Sequence, residues 1–189
     1  MNKTTPLIVT FLGMLLVQWF IPLRMVFRQE NVLSSGHTYR FRCAPIDPAD
    51  PFRGRYMTLA FRDITAPFPA DLGVNAGEKV FVTVREDSTG FAVIDEVLVN
   101  APTHSNLYFE AHISAIQNDP PLLVLEYPFT RFYLEEFKAP QAEKIYFDAL
   151  RDPSQVAYAL VTIAEGQSQL IDVQINGRSI QQLLNVEKD

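Results

Sequence analysis

Two adjacent serines, Ser34 and Ser35, are followed by a domain with few lysines, of which Lys79, Lys138 and Lys144 are the ones placed to meet them. A serine hydroxyl becomes a nucleophile when a neighbouring base takes its proton, and a lysine serves as that base only when burial lowers its pKa. A membrane-anchored Ser-Lys peptidase is therefore the enzymatic reading to weigh. Lys79 follows Gly77-Glu78 at the entrance of a strand pattern, and Lys144 sits beside Glu143 on the polar face of a helix pattern, so both read as solvated. Ser34-Ser35-Gly36 then reads as a flexible tether, and no catalytic residue is expected.

His37, His104 and His112 form no HxxxH or HxH pair with a carboxylate at ligand spacing, so no metal site is expected. The eight glycines are scattered singly in turns. No phosphate-cradling loop follows from them, and no cofactor is expected. A polar cluster is the remaining option. Alternation along FTRFYL puts Arg131 and Tyr133 on one strand face, with Glu126, Glu135 and Glu136 nearby in sequence. Such a group could take a ligand, or Arg131 could clamp an acidic loop (Asp47, Asp50) through the bidentate geometry of its guanidinium.

Something must hold these residues at a place in the cell. Thr4 to Leu23 runs twenty residues without a charge, bounded by Lys3 and Arg24. As a helix it would be about 30 Å long, the thickness of a bilayer's hydrocarbon core. The chain that follows carries arginines and no small-x-small cleavage site, which favours a retained anchor over a cleaved signal. Residues 1–30 are read as a membrane anchor, with the helix over 4–23, and 31–189 as one domain. Trp19 and Phe20 suit the membrane interface. Lys3 with the free amine on one side and Arg24 with Arg28 on the other leave the orientation undecided by charge. Setting aside Lys3, Arg24, Arg28 and Glu30, the domain is eight charges to the acidic side, which argues against nucleic acid as a partner. The lone Cys43 forms no internal disulfide.

From Gly36 onward the pattern is mostly β. Runs at 38–42, 56–64, 79–86, 91–99, 107–116, 122–127 and 129–134 are rich in β-branched and aromatic residues, separated by Pro, Gly, Asn and Asp clusters. Val80, Val82 and Val84 alternate with Phe81, Thr83 and Arg85, and EDSTG ending at Gly90 predicts a hairpin. Ala142, Ile145, Tyr146, Ala149 and Leu150 form one apolar stripe, so a helix is predicted over 140–151. Two more strands, 156–164 and 168–175, flank Gly166, and INGRSI turns into a short polar tail. The fold class is mainly β: a transmembrane helix followed by an antiparallel sheet or barrel-like domain with one covering helix.

The stretch DPADPFRGRYMTLAF, 47–61, is the most specific feature. Two prolines bar a helix, Gly54 permits a sharp turn, and Tyr56 begins a strand in which Leu59 and Phe61 share one face and Tyr56 and Thr58 the other. Asp47, Pro48, Asp50, Pro51, Arg53, Gly54, Tyr56 and Leu59 resemble the signature of the GDYXXLXY family; Arg55 stands where that pattern has aspartate and Phe61 where it has tyrosine. Arg131-Phe132-Tyr133 followed by Glu135 and Glu136, and the closing Asn176-Gly177, extend the likeness. The resemblance implies a bacterial membrane-anchored protein whose companion is a multi-pass membrane protein, and it brings no catalytic residue with it. The expectation is a single-pass protein of the bacterial inner membrane whose β domain, outside the cytoplasm, serves as an accessory or binding module.

Overall fold

The computed structural model describes residues 10–20, 22–24, 35–45, 56–67 and 73–186. Residues 10–20 form a helix, α1, and 22–24 are helical too. The expected span 4–23 is thus described only in part, and among the described residues no helix is long and apolar enough to cross a membrane.

The rest is mainly antiparallel β structure, in three pieces, with two helices. One five-stranded sheet has the order β12-β11-β10-β1-β3, built from β1 (His37–Ala44), β3 (Ala60–Phe61), β10 (Ala157–Ala164), β11 (Gln167–Ile175) and β12 (Arg178–Ser179). A second has the order β4-β8-β7-β5-β6, from β4 (Thr65–Pro67), β5 (Lys79–Glu86), β6 (Ala92–Leu98), β7 (Tyr108–Asn118) and β8 (Pro121–Glu126). Register shifts at Thr83/Val84 and Ile113/Ala115 bend this sheet until its edge strands β4 and β6 approach each other, so it nearly closes into a barrel. The third piece is a ribbon of β2 (Tyr56–Thr58) and β9 (Arg131–Tyr133).

Alternation decides which side chains face inward. Val80, Val82 and Val84 are buried, as the period-2 pattern requires, and so are Tyr39, Phe41 and Cys43 on β1. Helix α2 (Ala139–Arg151) lays its stripe of Ala142, Tyr146 and Ala149 on the core, with Ile145 and Leu150 at its margin. A second helix was not expected at the C-terminus: α3 (Ile180–Val186) stands where the sequence reads as a polar tail. Ile180 and Leu184 are one turn apart and both buried, which is enough to hold this short helix against the core.

The predicted strand 56–64 is the main departure. Its inward face is as expected, with Met57, Leu59 and Phe61 all buried, but its backbone partners change along its length. β2 pairs with β9, β3 pairs with β1, and β4 pairs with β8. Between them the Leu59 amide donates to the Thr130 carbonyl at 2.8 Å and the Leu125 amide to the Ile64 carbonyl at 2.8 Å. Residues 56–67 therefore join all three β pieces. Side-chain alternation is continuous from Tyr56 to Arg62, across the change from β9 to β1, and shifts phase before β4, where Ala66 is buried; a sequence pattern registers the face and not the change of partner.

Two tight contacts tie the sheets together. The β10–β11 turn has Glu165 at φ 48° and Gly166 at φ 82°, and the Gly166 amide donates to the Tyr108 carbonyl on β7 at 2.9 Å. A Cβ on Gly166 would lie 3.2 Å from the Tyr108 ring. Gly166→Ala is expected to lower stability by about 1 to 3 kcal/mol, through backbone strain and displacement of that ring, read as a lower thermal unfolding midpoint. The other contact is on the β5–β6 hairpin, where Arg40 Nε donates to the Gly90 carbonyl at 2.9 Å and the Arg42 guanidinium lies 4.3 Å from the centre of the Phe91 ring.

Candidate functional site

The signature segment and β9 build one surface. In the ribbon, Tyr56 lies opposite Tyr133, Met57 opposite Phe132 and Thr58 opposite Arg131. Met57 and Phe132 point into the core, so Tyr56, Tyr133 and Arg131 are left on the outer face. The two tyrosine rings are 5.7 Å apart with planes inclined by 56°, and the Arg131 guanidinium carbon is 5.3 Å from the centre of the Tyr56 ring. Tyr56 is thereby held between a second aromatic ring and a cation, an arrangement that restrains the exposed Tyr133 ring from one side.

Just past β9 the chain turns into α2. The Glu135 carbonyl accepts from the Lys138 and Ala139 amides at 2.9 and 3.0 Å, and its carboxylate meets the Lys138 ammonium at 3.0 Å. Tyr133, Leu134, Glu135, Lys138 and, from α3, Gln181 line an open cleft of about 320 Å³. The structure thus brings the expected Arg131 and Tyr133 onto one face with Tyr56 and places Glu135 beside them. Glu126 lies on β8 opposite His112 instead.

Leu59 and Phe61 belong to the interior. Leu59 is buried, and Phe61 packs at 5.2 to 6.0 Å from the rings of Phe41, Tyr127 and Phe129, with Phe109 completing the cluster. The Tyr127 hydroxyl donates to the Asp63 carbonyl, and burial raises its pKa. Asp47, Asp50, Arg53 and Gly54 lie outside the described residues, as does the expected clamp of Arg131 onto Asp47 or Asp50. What Arg131 meets among the described residues is the face of Tyr56.

An arginine clamp of another kind exists, which the sequence reading did not find. Arg40 and Arg42, two apart on β1 and so on one face, reach the Asp87–Phe91 turn. Asp87 accepts from the Thr89 hydroxyl and from the Phe91 and Thr89 amides and faces Arg42, which together hold its carboxyl down at about 2. The alternation in YRFR carried the signal, since two arginines on the outer face of a strand call for partners there.

Among the described residues no group of three His, Cys, Asp or Glu side chains could hold a metal ion. His37 is 4.0 Å from Glu86 and His104 3.6 Å from Glu96, both at the surface. Ser34 lies outside the described residues; Lys79 pairs with Glu110 at 3.2 Å, Lys138 with Glu135, and Lys144 is exposed, so none of these lysines has the burial that a Ser-Lys base requires. Cys43 is buried, and burial pushes its thiol up to about 12, which closes it to thiolate chemistry.

No curated protein and no solved structure matches this chain. The family model described as GDYXXLXY protein matches residues 18–173, which take in the signature, the β9 segment and nearly all of the β structure. The chain belongs to the GDYXXLXY family.

Proposed function

We propose that this protein is a single-pass component of the bacterial inner membrane, anchored through residues 1–30, whose β domain lies outside the cytoplasm and acts as an accessory or binding module for a multi-pass membrane partner. The observation that carries this reading is the set of apolar side chains that α1 leaves uncovered. Phe11, Met14, Leu16, Trp19 and Phe20 are each more than 60% exposed, and Leu12 and Val17 more than half. An uncovered helix of this composition calls for an apolar surround, and it falls within the uncharged run from Thr4 to Leu23. A binding role is favoured over catalysis because Tyr56, Tyr133 and Arg131 are of the types that dominate recognition surfaces, and among the described residues the cleft beside them is lined by no serine, cysteine or histidine.

Fusing alkaline phosphatase after Asp189 in one strain and a cytosolic reporter in another tests the placement. Phosphatase activity alone is the expected result, with the protein retained in the membrane fraction after alkaline extraction. Activity of the cytosolic reporter alone would reverse the topology.

A further inference from the structure

Resting on the reading of the domain as a binding module, we infer that the cleft between β9, α2 and α3 is a binding site for a neutral saccharide. Tyr133 is 67% exposed, yet its ring packs 5.7 Å from that of Tyr56, itself covered by Arg131. A flat apolar face is thus presented to water already in position, and little side-chain entropy remains to be lost when a ligand stacks on it. Around that face stand a carboxylate that accepts hydrogen bonds, an ammonium that donates them and an amide that does both: Glu135, Lys138 and Gln181.

The charge pattern narrows the ligand class. Glu135 and Lys138 pair at 3.0 Å, so the cleft carries no net charge with which to select an ion. The start of α2 offers little to an anion, since the amides of Lys138 and Ala139 already donate to the Glu135 carbonyl and Pro140 has none to give. Among the described residues Leu134 is the one aliphatic side chain in the lining, which offers little to a lipid tail or a large hydrophobic side chain. What remains is a molecule with one apolar C–H face and a girdle of hydroxyls, which describes a pyranose ring. The volume, about 320 Å³, falls at the lower end of the roughly 300 to 1,000 Å³ of small-molecule sites, enough for a short stretch of glycan lying across an open cleft.

The test uses the full-length protein in a detergent without a sugar headgroup, with cellotetraose, maltotetraose and chitotetraose as probes in saturation-transfer NMR and calorimetric titration. Saturable binding of at least one is expected, with strongest transfer to the protons of one ring face. Tyr133→Ala should weaken it at least about tenfold without moving the unfolding midpoint, and Tyr133→Trp should restore it. Absence of binding to all three probes, or binding indifferent to Tyr133→Ala, overturns the inference. The reporter fusions judge the placement separately: an extracytoplasmic domain that binds no glycan sinks only the saccharide, and a cytoplasmic domain sinks the topology whatever the titrations show.

Discussion

Leu59→Ala is expected to destabilise the domain by about 2 to 5 kcal/mol, the range for deleting a fully buried leucine. Leu59 is 1% exposed and sits between β2 and β3, at the corner where the pairing partner changes from β9 to β1, its amide donating to the Thr130 carbonyl. The void left by truncation is bounded by three β pieces that cannot all close on it at once. Urea unfolding followed by near-ultraviolet circular dichroism is the measurement, because the single tryptophan, Trp19, lies in α1 and its fluorescence does not report on the domain. An unchanged midpoint in Leu59→Ala, coupled with loss of partner binding, would show that the signature acts as a recognition surface and that its structural role is wrongly assigned.

Phe41→Ala is expected to have the largest effect, about 3 to 5 kcal/mol. The Phe41 ring lies 5.0 to 6.2 Å from those of Phe129, Tyr127, Phe61 and Phe109, so it touches a strand or loop from both five-stranded sheets. Edge-to-face pairs of this kind contribute about 0.5 to 1.5 kcal/mol each beyond the area they bury. Phe41→Leu keeps most of the volume and removes the ring geometry, and it should fall well short of the alanine loss. Equal losses for the two variants would mean that shape, rather than buried volume, dominates this cluster.

How far the sequence reached depends on what each element needs. β5 spans Lys79–Glu86 as its alternation predicts, and the turns at Gly90, Gly166 and Gly177 adopt positive φ where the residue types ask for it. Those are local properties, written in local residues. The division of 56–67 among β9, β1 and β8 is not local, because backbone hydrogen bonding is the same for every residue type and nothing in YMTLAFRDIT names a partner. α3 was legible and passed over: Ile180, Leu183 and Leu184 fall at i, i+3 and i+4, but seven residues are too few for the pattern to stand out. Of the site, the outward placement of Arg131 and Tyr133 follows from alternation, whereas the stacking of Arg131 on Tyr56 depends on the register of β2 with β9. Gln181 could not be assigned to the cleft without α3.

The pairing of β1 with β10 sets a timetable for its sheet. The Thr38 and Thr162 hydroxyls, 124 residues apart in the chain, meet at 2.8 Å, and every rung from His37 to Arg42 is laid against a strand that is synthesised almost last. Of the first strand to emerge, only Cys43 and Ala44 find an early partner, in β3; His37 to Arg42 wait for β10, and closing so long a loop is slow. That sheet is therefore completed late, whereas the strands of the other five-stranded sheet, from Thr65 to Glu126, have all been made before β10 begins. Ending the chain before Ala157 would leave β1 with β3 alone and remove β10, β11 and β12 together, while every strand of the second sheet would keep its partners.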